Sequence, residues 1–295
     1  MGYLSEAAGL ADTVLVTGVE KMTDEISCAT SADLAMAADA DYEAAQGLSF
    51  AAINALLMQR YMYEYQVKRE DFACFTINAH RNALGNPYAM FHRPVSREDY
   101  LRAKPIAAPI SLLDSSPICD GAAAVVLCSE KIARELGQES LVHITASTVA
   151  TDSIALAHRR NLLTLEGAKL STQQAYQMAG VSAEDISFFE LHDAFSIIAA
   201  LGLEAAGFAA RGEGVRLARE GEIALDGRIP ICTMGGLKAR GHPVGASGVY
   251  QVLEAVRQLR GEAGKNQLKD CRLGMTQSIG GSGATTITHI LERVE

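Results

Sequence analysis

Near the end of the chain apolar side chains return with helical spacing: Val249, Val252, Leu253, Val256 and Leu259 share one face of a helix predicted over 249–259. Shorter runs, rich in β-branched residues, read as strands. Residues 13–18 and 122–128 read as buried strands. Further strands are predicted over 143–150, 186–192 and 272–278, with a last one running to Leu291. Helices are predicted over 50–62, 70–84, 130–136 behind an N-cap at Ser129, 171–179 and 196–206. Gly137, Gly180 and Gly207 stand where three of these helices should stop. Residues 1–11 read as the back end of a helix ending near Gly9.

Strands and helices alternate through the second half, which predicts a layered α/β domain with a mostly buried sheet. Residues 19–110 lack this rhythm and read as an elaborate insertion, because a strand resumes at 122 after the turn-rich segment 114–121. A buried strand at 13–18 needs neighbours. Either later strands flank it or the chain has lost its beginning. Residues 121–130 and 283–292 share a glycine, a small residue, an apolar run and a glutamate at equal offsets. A duplicated sheet unit would leave such an echo, and so would chance.

Bulk properties narrow the picture. With 295 residues, 48% hydrophobic and 21% charged, the chain has enough apolar surface for one large or two medium domains. No run approaches the roughly 18 apolar residues of a membrane span, and no signal peptide is visible. A net charge of −9 argues against nucleic-acid binding. Residues 1–50 carry nine acidic side chains and one basic, whereas residues 60–104 carry eight basic and five acidic. That second segment could meet an anionic ligand or be a solvated surface. Six scattered cysteines, without a CxxC pair or metal-ligand spacing, read as reduced and packed as small hydrophobes, the pattern of a cytoplasmic protein.

Candidate chemistry gathers in three loops. Residues 235–248 place five glycines around His242, with Pro243 biasing the histidine away from helical geometry and Ser247 as the N-cap of the following helix. His192 and Asp193 stand at the carboxyl end of a predicted strand, where open α/β sheets bind ligands. Ser278 and Gly280 follow the penultimate strand. Two histidines beside glycine-rich backbone supply a base and oxyanion donors, the parts acyl transfer needs. Asp193 could complete a triad, but neighbours on a strand point oppositely, which favours an N-cap role. No third ligand spacing supports a metal at the histidines, and neither a P-loop nor a Rossmann fingerprint is present.

The residues 235–248 resemble the histidine loop of the thiolase superfamily, and His192-Asp193-Ala194-Phe195 is similar to the His-Asp-x-Phe loop of its sterol-carrier-protein-X and archaeal branch. Residues 14–20, 120–124 and 279–281 fit as well. The resemblance implies the layered α-β-α-β-α thiolase fold. Residues 1–129 would be the remainder of an incomplete first half with an insertion over 19–120, and residues 130–295 an intact second half. It implies coenzyme A thioesters as substrates, with no bound cofactor and no metal, and a place in lipid metabolism. A homodimer or tetramer is implied, and a small zinc-ribbon/OB-fold partner that carries acyl-CoA.

Residue by residue, the resemblance implies that His242 activates the nucleophile, that His192 holds a catalytic water, and that the Gly280 N–H serves a second oxyanion hole. Ser116, Ile118 and Phe195 would line the coenzyme A channel, with Ser247 beside it. Two departures are visible. None of the six cysteines stands in the context of the family's nucleophile, which precedes the strand at 13–18, so the chain reads as N-terminally truncated. Ser278 and Ala194 occupy the two positions where relatives carry an acid/base cysteine. The expected activity is thiolysis or Claisen condensation of a 3-oxoacyl-CoA, impaired by the missing thiol. The alternatives are a thiolase-like aldolase or a non-catalytic partner in an assembly.

Overall fold

The computed structural model describes residues 1–294. Its helices are α1 (Gly2–Ala7), α2 (Ser27–Ala35), α3 (Phe50–Tyr65), α4 (Ala73–Ala83), α5 (Arg97–Arg102), α6 (Glu130–Glu135), α7 (Glu166–Ala179), α8 (Ser196–Ala205), α9 (Gly214–Arg219) and α10 (Val244–Leu259). Its strands are β1 (Thr13–Glu20), β2 (Pro105–Ala107), β3 (Ile110–Ser111), β4 (Gly121–Cys128), β5 (Val142–Thr151), β6 (Phe188–Glu190), β7 (Leu273–Gly280) and β8 (Thr285–Arg293).

Two sheets face each other across α10. β1 and β4 pair antiparallel without a break from Thr13↔Cys128 to Glu20↔Gly121. The other sheet has the order β5-β8-β7-β6, antiparallel except for β6 beside β7. The pleat of β7 defines its two sides. Gln277 donates to Ala168 O and Thr172 Oγ1 of α7, whereas Ser278 faces Gly248 of α10. The sheet is therefore sandwiched between α7 and α10.

The strands at 13–18 and 122–128 are present but not buried on both faces. One face of the β1/β4 ribbon carries α1, through Gly2 against Val14 and Val16, and α10, through Gly18 against Gly245 and Ala246. The other face is open, with Leu15, Val19 and Val126 each more than 60% exposed. Among the described residues nothing is stacked on it. An apolar run signals a strand that suits a buried site, but burial needs a second layer.

The expected insertion contributes to the main core. Ile53, Leu57 and Tyr61 of α3 and Phe75 of α4 are packed in one cluster with Phe189, Ile197 and Val215. Ser49 caps α3 by accepting from Ala52 N–H, and Gln66 at φ 55° stops it. The helix expected over 70–84 splits into a 3₁₀ turn, Arg69–Phe72, and α4. α7 starts five residues earlier than its periodicity suggested and ends at Gly180 in the left-handed region. The strand expected over 186–192 shortens to Phe188–Glu190.

α10 departs most from its sequence pattern. It begins at Val244 behind Pro243, so Ser247 lies in its first turn and is not the N-cap. Its buried residues include Gln251, Glu254, Ala255 and Gln258, whereas Val249, Val252, Leu253 and Val256 are half-buried. The helix lies between two sheets, where its polar side chains satisfy strand and loop ends. Gln251 donates to Glu190 O and Gln277 O, and Gln258 donates to Asn266 O.

Candidate active site

The loop before α10 is a wound turn. Gly236–Arg240 forms one turn of π-helix, flanked by Gly235 at φ 105° and Gly241 at φ 118°. π-turns concentrate at functional sites. Asp193 holds this turn: its Oδ1 accepts the Leu237 N–H at 2.6 Å. A Cβ at Gly236 would lie 2.6 Å from both Asp193 oxygens, so the glycine is required for contact as well as for its φ of 54°. Asp193 is thus not the N-cap of α8, whose N-cap position is Phe195. From the insertion, Met90 and Phe91 donate their N–H groups to Arg240 O and Ala239 O, and Asn82 and Asn86 donate to the carbonyls of Cys232 and Met234. Lys238 donates its ammonium to Asp114 O.

The two histidines meet. The rings of His192 and His242 lie 5.2 Å apart between centroids and nearly perpendicular, at 86°. His242 Nδ1 is 2.7 Å from Ser247 Oγ, and Ser247 donates its hydroxyl proton to Pro243 O at 2.9 Å. A serine has one proton to give, so Oγ accepts from Nδ1–H. That leaves Nε2 of His242 as the free base. His192 Nδ1 is buried with no hydrogen-bond partner. Burial, aided by the Arg240 charge, lowers the His192 pKa to about 4. Burial, then His192 and Arg240, holds His242 well below the usual histidine range. Both imidazoles are neutral at physiological pH.

Beneath them lies a buried charge cluster. Arg240 Nε stands 3.2 Å from Glu254 Oε1, with both side chains under 5% exposed, and the guanidinium lies 4.6 Å from the Tyr250 ring centroid. Glu190 accepts from Thr233 N–H and Oγ1–H. Burial raises the pKa of Glu190, Asp193 and Glu254, the last to about 8. Burial therefore keeps Glu254 largely protonated near neutrality.

The remaining expected residues are arranged around this centre. Ser278 faces Gly248, one residue beyond Ser247, and a Cβ there would be 3.4 Å from its hydroxyl. Gly280 ends β7 and is exposed. Ser116 donates its N–H to Ala194 O, and Ser115 bridges to Phe195, which ties these two loops together. Ile118 lines a cavity of about 340 Å³ with Cys119, Arg240, Gly241, Pro243 and Tyr250. Cys119 is packed as a small hydrophobe, as its sequence context suggests, with its thiol on Gly241 and its pKa raised by burial. The Arg240–Glu254 pair is not legible in the sequence. The one available signal was a glutamate at helical spacing from Gln251 and Gln258. Among the described residues, no group of three His, Cys, Asp or Glu side chains is placed to hold a metal ion. No helix among them is long and apolar enough to cross a membrane.

The fold and the paired neutral imidazoles define a layered α/β protein with a histidine site at the end of its central helix. Comparison with known proteins gives the family. Residues 5–131 match the model of the thiolase N-terminal domain, and residues 148–293 match that of the thiolase C-terminal domain-like family. An acetyl-CoA acetyltransferase of Methanothermobacter thermautotrophicus is 43% identical over 99% of this chain and 76% of its own length. Human sterol carrier protein 2 is 31% identical over 95% of this chain and 53% of its own length. The solved structure of an Ltp2-ChsH2(DUF35) aldolase superposes with a TM-score of 0.86 at 28% identity, covering 98% of this chain and 75% of that one. The chain belongs to the thiolase family of acyltransferases.

Proposed function

We propose that the site binds a 3-oxoacyl-CoA thioester and is built for thiolysis or Claisen condensation, with both histidines acting in the neutral form. The observation that carries this is the Ser247–His242 contact, which leaves Nε2 of His242 free to take a thiol proton and return it. His192, with an unpartnered Nδ1, would hold a water in the first oxyanion hole. The Gly280 N–H would serve the second. Ser116, Ile118 and Phe195 would line the coenzyme A channel beside Ser247. Residues 1–129, with an insertion over 19–120, would belong to the first half of the family fold and 130–295 would form the second, in a cytoplasmic homodimer or tetramer.

The nucleophile is the weak point. Of the cysteines near the site, Cys119 faces the Gly241 backbone and Cys232 is fully buried, and burial raises the pKa of both. A protonated thiol is a poor nucleophile. The chain should therefore thiolyse acetoacetyl-CoA at a rate on the order of a thousandfold or more below that of the Methanothermobacter relative, since losing a nucleophile removes most of the catalysis. Loss of the acetoacetyl-CoA enolate absorbance measures this. A comparable rate would overturn the impairment.

A second reading is favoured by Ser278 and Ala194, which leave no cysteine acid/base, and by the likeness to the aldolase structure. In it the chain cleaves acyl-CoA side chains by a retro-aldol step, or supports a complex, with a small zinc-ribbon/OB-fold protein. A stoichiometric small protein that co-purifies from the native source supports this reading; a lone homo-oligomer counts against it.

The tautomer is open to direct test. In ¹⁵N-labelled protein His242 should be protonated at Nδ1, and the His192 signals should stay unchanged from pH 8 to pH 5.5 before titrating near 4. Ser247→Ala should shift His242 toward a mixture of tautomers, with a stability cost of about 1 kcal/mol for the lost hydrogen bond.

A further inference from the structure

We infer that Arg159 is a positioning residue for the Gly280 amide: its guanidinium clasps the β7–β8 turn from behind and fixes the direction in which that N–H points. The inference rests on the acyl-oxygen role proposed for Gly280. The turn, residues 281–284, joins two strands whose pairing runs up to Gly280↔Thr285. Nothing in that pairing fixes the turn itself.

Arg159 does this from a different part of the chain. Its side chain is 1% exposed. Nη1 donates to Ser282 O at 2.7 Å, while Nε and Nη2 both donate to Ser153 O at 3.1 and 3.0 Å. One planar fork thus joins the turn to the loop after β5. The same loop makes a second tie, Asp152 N–H to Ala284 O at 2.8 Å, and Ala284 N–H closes the turn onto Gly280 O at 3.1 Å. On its far side the turn abuts the carbonyl of Ala37, where a Cβ at Gly281 would lie 2.9 Å from the oxygen. Ser282 and Gly283 are buried, whereas Gly280 is exposed. The middle of the turn is therefore gripped from behind, while Gly280, which leads into it, is open.

Arginine suits this task where lysine does not. A guanidinium presents donors in a rigid plane and can serve two carbonyls from separate segments in fixed relative positions, whereas an ammonium is a point donor on a flexible stem. The buried cation is balanced by Asp152, 3.8 Å from Nε, and Glu43 adds a second favourable charge. The hydrogen bonds of the fork all go to loop and turn carbonyls, so its loss should loosen the turn before the sheet.

The test uses the 295-residue chain with Arg159→Met and Arg159→Lys. Two readouts are needed: amide hydrogen exchange over 280–284 against β5 and β8, and calorimetric binding of acetoacetyl-CoA against free coenzyme A. In Arg159→Met the turn should exchange about tenfold faster with the strands unchanged. Acetoacetyl-CoA should bind about tenfold more weakly while coenzyme A changes less than about twofold. Arg159→Lys should lie between wild type and Met on both readouts, and it decides the matter alone if the Met variant does not fold. Unchanged turn exchange, or parallel weakening of both ligands, overturns the inference. If the wild type itself binds acetoacetyl-CoA no better than coenzyme A, the Gly280 reading fails and the inference falls with it. If the wild type discriminates and both variants keep the full preference, only the role of Arg159 fails.

Discussion

Arg240→Met should lower the unfolding free energy by about 3–5 kcal/mol at pH 8.5, the usual cost of leaving a buried partner charge uncompensated. The loss should be smaller at pH 5 by about 1 kcal/mol, because a carboxyl with a pKa of about 8 can take up a proton once the guanidinium is gone. Urea denaturation at the two pH values measures both. The dependence follows from which groups the guanidinium serves. Glu254 lies 3.2 Å from it, and burial already raises the pKa of Glu254 and Glu190. These acids have folded pKa values above their unfolded ones. Their protonated folded forms therefore stabilise the protein at low pH, and that contribution is lost as pH rises through the folded pKa, about 8 for Glu254. Removing Arg240 removes the charge that makes ionisation tolerable, so the deficit opens as the carboxyls ionise. An equal loss at both pH values would mean that Arg240 acts by packing on Tyr250 and not by charge. A double variant, Arg240→Met with Glu254→Leu, should recover most of the loss, because a buried ion pair can be replaced by apolar packing at little net cost. The same guanidinium helps to depress His192, so its titration should move up from about 4 in the single variant.

Gly236→Ala should lower stability by about 3 kcal/mol or more from combined overpacking and backbone strain. The added Cβ would lie 2.6 Å from both oxygens of Asp193 and 2.7 Å from Cys232 Sγ, all of them buried. Asp193 cannot retreat without releasing the Leu237 N–H and leaving Lys238 with one counter-charge fewer. Gly264→Ala is the control. Gly264 has a similar φ of 60° with nothing within 4 Å of a Cβ, so it should cost only the backbone term, about 1 kcal/mol. Because the π-turn leads directly into His242, Gly236→Ala should also abolish acetoacetyl-CoA binding, which Gly264→Ala should keep. Equal effects of the two substitutions in urea denaturation would refute the contact between Gly236 and Asp193 as the cause.

Much of the site was legible because its signals are local. Glycines at 235, 236 and 241 announce backbone that other residues rarely adopt, and all three have positive φ. His242 beside Pro243, and His192 after a short strand, could be singled out by type and place. Asp193 was misread because N-capping is a rule about residues three apart, whereas its partner, Leu237 N–H, lies 44 residues away. Ser247 was misplaced by four residues for a related reason. Helix starts with Pro are signalled by backbone geometry, and the serine's real task is to orient an imidazole.

The sequence by itself determined the local conformations and the chemistry available. Most strands and helices, the glycine-built loop, two histidines and the family likeness follow from side-chain type and short-range spacing. The tertiary structure decided which faces are inside. On α10 the valine stripe is half-buried, and the polar stripe of Gln251, Glu254 and Gln258 is the buried one. β1 and β4, apolar enough for an interior, are open on one side. Periodicity reports how a helix or strand is divided between polar and apolar faces. What each face meets depends on elements far away in the chain. Here one sheet offers α10 carbonyls that a glutamine can reach, and among the described residues the outer face of the β1/β4 ribbon has no layer upon it.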